Sequence, residues 1–137
     1  MITLSEEKLR ELCAGWQEAL RLKDWEVELR QVRVAELGTN TGFGECRSNP
    51  RKRQAVIRVL HPDDFLEVKP YWAPTEDTTF EQERVVVHEL LHLLFSPFDQ
   101  TIGRETVGEI VLEQAINSLD TPLVELARRV RATAVAA

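Results

Sequence analysis

The sequence is poor in cysteine. Cys13 and Cys46 are the two in 137 residues, too few and too far apart for a disulfide framework. Positive charge is also in short supply. Against 23 Asp and Glu stand 17 Lys and Arg, a formal net charge of −6. That balance argues against a general nucleic-acid binder, whose footprint is basic. The local run Arg51-Lys52-Arg53 reads as a solvated turn. Long apolar runs are missing, and none approaches the roughly 20 residues of a bilayer span. The start of the chain lacks the basic and apolar regions of a secretory signal. The expected setting is therefore reducing and cytoplasmic, with no membrane partner. No repeat, linker or low-complexity segment divides the chain. Its length and its 43% hydrophobic content suit one domain over residues 1–137.

What is present has a clear order. Leu4, Leu9, Leu12, Trp16, Ala19 and Leu20 recur at helical spacing, which predicts a helix over 4–22 with Thr3 and Glu6 as its capping box. The period then changes to two. Trp25, Val27 and Leu29 alternate with charged residues, and Val32 and Val34 prolong a half-buried strand. Residues 38–42 form a turn cluster. Phe43–Arg47 and Ala55–Leu60 read as two further strands, in a meander or small mixed sheet. A proline-containing connection spans 61–77. Thr78 and Thr79 are candidate caps for a helix running to Phe95, which Ser96-Pro97 stops. A helix through Val107–Leu119 follows, and Thr121-Pro122 restarts the chain as a last helix. The class is α+β: an N-terminal helix, a small three-stranded sheet, a central helix and C-terminal helices.

The central helix carries His88-Glu89-Leu90-Leu91-His92. Histidines four apart project from one helical face about one turn apart, so two ring nitrogens can reach one tetrahedral zinc. Glu89 can reach a zinc-bound water without being a ligand. The metal lowers the pKa of that water towards about 7, and the carboxylate takes its proton as it attacks a carbonyl. The bland alternative is an apolar helix with two incidental histidines. By composition the pattern arises by chance in on the order of one chain in a few hundred of this length. A buried, partnerless Glu would also be costly, and a metal-bound water supplies its partner. Both points favour one zinc per chain.

Such a site needs a third protein ligand. Glu113, Glu109, Glu105, Asp99, Cys46 and His61 are candidates. Glu113 is favoured. It lies 21 residues beyond His92 on the next helix, and Asn117 one turn later is placed to hydrogen-bond a ligand histidine.

With Glu113-x-x-x-Asn117 and the small sheet before it, the His88-Glu89-Leu-Leu-His92 pattern resembles the gluzincin metallopeptidases. More closely, it resembles the small phage and bacterial metallopeptidases called minigluzincins. The stretches Val86–Phe98, Trp25–Leu29 and Ala55–Val59 extend the resemblance over most of the chain. It implies a zincin-like fold and zinc-dependent cleavage of a peptide or protein substrate. His88, His92 and Glu113 would be ligands and Glu89 the general base. It also implies that an extended substrate adds to the sheet edge near the zinc helix. Larger gluzincins usually carry Asp where this chain has Asn117.

Tyr71, in a proline-rich loop, is a candidate oxyanion stabiliser or lid residue, and His61 and Arg104 are others. Two alternatives remain beside the peptidase. One is a latent zincin scaffold serving as a binding or regulatory module. The other is a deformylase-like amide hydrolase using Cys46, because Gly44-Glu-Cys-Arg-Ser48 resembles the cysteine segment of peptide deformylases. The Gly-rich segment those enzymes carry upstream is missing here.

Overall fold

A computed structural model describes residues 2–37, 42–68, 74–99, 101–103 and 106–136. Helix α1, Glu6–Ala19, begins one residue after Ser5, whose side chain accepts from the Lys8 amide at 3.1 Å. The expected box of Thr3 and Glu6 does not form. Glu6 instead accepts from the Gln31 amide at 2.9 Å and pairs with Arg10, tying α1 to the first strand. Leu9, Cys13 and Trp16 fall at helical spacing and are buried. The helix ends in a Schellman arrangement. Leu22 N–H donates to Gln17 O at 2.7 Å and Arg21 N–H to Glu18 O at 3.1 Å. Arg21 sits at φ 59°, a position that usually belongs to glycine.

Strand β1 is Glu26–Val32, β2 is Gly44–Asn49 and β3 is Gln54–Leu60. The order is β1-β3-β2, with β3 parallel to β1 and antiparallel to β2. The sheet is thus mixed, and β3 is its centre. Ile57, Val59 and Leu60 on β3 are fully buried. Val34 does not extend β1. Its amide donates to Asp64 at 2.9 Å, and the chain turns there into a 3-10 turn over Val34–Glu36. Asp64 belongs to a second such turn, Pro62–Glu67, and also receives the Arg33 guanidinium at 2.7 and 2.8 Å. These bonds hold its carboxyl down at about 2.

Helix α2, Thr78–Leu94, is capped by Asp77, one residue before the expected threonines. Asp77 accepts from the Phe80 amide and from the Thr79 hydroxyl. After α3, Ser96–Asp99, one continuous helix α4 runs from Val107 to Ala136 with Pro122 inside it. The expected break at Thr121-Pro122 is absent. An interior proline costs a hydrogen bond and a steric clash. Both halves of α4 nevertheless dock, with Ile116 and Val124 fully buried, so packing carries the helix through. Helix α2 packs against α1, α4, β2 and β3 at once.

That central place explains the polar residues buried on α2. Those in its first two turns, Glu81 to Arg84, find partners, as burial demands. Gln82 accepts from Leu4 N–H at 2.7 Å and donates to Leu4 O at 3.0 Å. Glu83 accepts from Trp16 Nε1 at 2.7 Å and from both terminal nitrogens of Arg131 at 2.8 and 2.6 Å. Arg84 lies between Glu81 and Asp120, all three at most 4% exposed in their side chains. No helix among the described residues is long and apolar enough to cross a membrane.

Candidate metal centre

His88 and His92 stand one turn apart on α2, with ring centroids 5.1 Å apart. Glu113 comes from α4 and meets both. Its Oε1 is 2.9 Å from His88 Nε2 and its Oε2 is 3.3 Å from His92 Nε2. The three potential ligand atoms lie within 4.8 Å of one another. Ligands held at 2.0–2.1 Å around a tetrahedral ion are about 3.3 Å apart, so little movement is needed to close on a cation. A donor set of two imidazoles and a carboxylate suits a divalent transition metal. The Glu113 side chain is 42% exposed and that of His92 26%, so the group is open to solvent on this side.

The outer partner of His88 is Asp120. Its Oδ2 lies 2.9 Å from His88 Nδ1 and accepts a second bond from Arg84 Nη1, also at 2.9 Å. Thr121 Oγ1 donates to the other oxygen at 3.0 Å. With Nδ1 bonded to Asp120, Nε2 is the nitrogen turned to the centre, where in the metal-free protein it meets Glu113 Oε1. Asn117, expected in this role, is exposed and does not take it. Asp120 follows Glu113 by two helical turns and faces the same way. Asn117, at one turn, falls outward because the α2 surface meets the Glu113–Ile116–Asp120 face of α4.

Glu89 is 5% exposed and sits beside the triad. Burial raises its carboxyl above the ordinary value, against the pull of His92 and His88. Burial alone would lower His88, but its bonds to Asp120 and Glu113 outweigh this and lift it to about 9. His92 is raised by Glu113 and Glu89, again against burial. Glu113 is held well below the carboxylate range by hydrogen bonds to both histidines. Glu89 thus has the character of a proton acceptor of raised basicity.

Strand β2 comes close to this helix through Gly44. A Cβ there would lie 2.5 Å from Val85 Cγ1 and 2.9 Å from Arg58 O, with Glu89 Cγ at 3.6 Å. Only glycine allows that approach.

The other candidates among the described residues stay out of the group. Asp99 lies 3.7 Å from His92 Nδ1, too far for a hydrogen bond. Glu109 is exposed in the first turn of α4. His61 caps the second 3-10 turn, its Nδ1 accepting from the Asp63 amide at 3.1 Å. Cys46 is half-buried opposite Ile57, its thiol pushed up by burial, and is not among the clustered ligand atoms. Tyr71, Arg104 and Glu105 lie outside the described residues. Sequence reasoning missed Asp120, Arg84 and the spatial role of Gly44. Periodicity held a signal for two of them: Arg84 precedes His88 by one turn, and Asp120 follows Glu113 by two.

Comparisons of the chain with protein-family models, with curated proteins and with solved structures give no match, so the reading of this centre rests on its own geometry.

Proposed function

We propose that this chain is a zinc-dependent metallopeptidase of zincin-like fold. The observation that carries the reading is the convergence of His88, His92 and Glu113 beside the buried Glu89. Zinc matches two imidazoles and a carboxylate with a fourth position open to water. Bound there, it would supply an acidified water and polarise a carbonyl. His88 and His92 would hold it through Nε2, and Glu113 through its carboxylate. Asp120 fixes the orientation of His88. Glu89 takes the proton of the attacking water and returns it to the leaving amine. Burial of Glu89 favours this, because a raised carboxyl binds a proton more readily.

An extended peptide is the favoured substrate. In the order β1-β3-β2, strand β2 keeps one edge unpaired among the described residues, and it begins at Gly44 against Glu89. Main-chain pairing along that edge would bring a scissile carbonyl towards the triad.

Metal analysis should give about one zinc per chain, lost in His88→Ala. The Glu89→Gln variant should keep zinc and lose cleavage of a peptide library. Cleavage at the wild-type rate by that variant would refute the mechanism. Full zinc loading with no cleavage by the wild type would favour the latent binding module. The deformylase-like reading needs Cys46 as a ligand, and it fails if Cys46→Ala retains zinc while Glu113→Ala loses it.

A further inference from the structure

We infer that Arg84 is a positioning residue for the metal centre, setting both the orientation of His88 and the placement of Glu113 through Asp120. The inference rests on the metal-binding reading above. It starts from the two bonds that meet at Asp120 Oδ2, one from His88 Nδ1 and one from Arg84 Nη1, each 2.9 Å long. Both donors sit on α2, one turn apart, while Asp120 sits on α4. The carboxylate is therefore fixed relative to His88 by the helix that carries His88. Arg84 is itself held by Glu81, whose two carboxylate oxygens each lie 3.3 Å from Nε. With both partners engaged and the side chain 4% exposed, the guanidinium has little freedom to move.

The second effect runs along α4. Asp120 and Glu113 are seven residues apart on one face of that helix. A clamp on Asp120 sets the register of α4 against α2, and that register places the Glu113 carboxylate before both Nε2 atoms. Arg84 thus touches no metal ligand directly in this scheme, yet it orders two of the three. Lysine cannot replace it, because an ammonium is a point donor and cannot span Glu81 and Asp120 with a planar fork.

The test measures zinc affinity by chelator competition in wild type, Arg84→Lys and Arg131→Lys. Arg131 makes a comparable fork with Glu83 on the same helix pair, away from the centre. Arg84→Lys should weaken zinc about ten- to a hundred-fold, the usual range for losing an outer partner. Arg131→Lys should stay within about two-fold while lowering the unfolding temperature. The cobalt-loaded Arg84→Lys protein should show a shifted visible absorption spectrum, which a general loss of stability would not produce. Adding Asp120→Asn to Arg84→Lys should weaken zinc little beyond Asp120→Asn alone, because Arg84 acts through Asp120. If Arg84→Lys does not fold, the charge-balanced pair Glu81→Gln with Arg84→Gln carries the same expectations. Wild-type affinity and spectrum in either variant would overturn the inference alone, as would equal losses in Arg84→Lys and Arg131→Lys. Absence of His88-dependent zinc binding in the wild type would instead overturn the metal reading, and this inference with it.

Discussion

At the scale of single residues, Gly44 and His88 have the most direct consequences. A methyl group at Gly44 meets Val85 and the Arg58 carbonyl, and the carbonyl cannot rotate away. Gly44→Ala should therefore destabilise the fold by about 1–3 kcal/mol, the usual cost of overpacking, seen as a lower denaturant midpoint. It should also draw β2 back from Glu89. His88 gives a pH dependence. Its folded-state pKa is raised from 6.5 to about 9 in the metal-free protein. The stability linked to that proton is complete below about pH 6.5 and is lost as pH rises through about 9. Thermal unfolding of metal-stripped protein should show that fall. Zinc competes with the same proton, so its apparent affinity should rise over the same window, with proton release measurable by calorimetry in two buffers. Much of this residue-level picture is legible in the sequence. The histidine spacing is a pattern of period 3.6, and Glu113 stands out by its place on the next helix, 21 residues beyond His92. Asn117 misled because i+4 and i+7 are equally good neighbours in a helix, and only the packing of α4 on α2 chooses Asp120.

At the scale of elements, helices and strands are legible in kind but not always in extent or pairing. The caps move by one or two residues, from Thr3 to Ser5 and from Thr78 to Asp77, because several adjacent side chains can each accept an amide. The parallel pairing of β1 with β3 cannot be read from alternation, which reports burial and not neighbours. Pro122 signals a break that tertiary packing overrides. Pro122→Ala should accordingly stabilise the protein by about 1–3 kcal/mol, raising its unfolding temperature, by restoring a helical donor and removing a clash. Unchanged or lower stability would mean that the proline is accommodated without strain. Arg21, at φ 59°, should respond in the same direction to Arg21→Gly, by up to about 1 kcal/mol in chemical denaturation.

For the whole molecule, the contact that matters is between α2 and α4. A metal held by His88, His92 and Glu113 would bridge these helices. The ionic clusters around Arg84 and Glu83 join them without it. Chelation should thus lower the unfolding temperature and leave a folded protein. Saturation with zinc at about a thousand times Kd should restore about 4 kcal/mol. A metal-stripped chain that unfolds outright would show that the clusters are too weak for this role.

The clasp between Gln82 and the backbone of Leu4 has a consequence in time. Leu4 lies ahead of α1, outside any helix or strand, where an amide would normally exchange its hydrogen with solvent almost at once. Here that hydrogen is held by a side chain at 0% exposure on the helix that bears the metal motif. Its exchange should therefore be slow and keep pace with amides in the middle of α2. The Leu4 amide becomes a clock on the outside of the molecule that reports when its central helix opens.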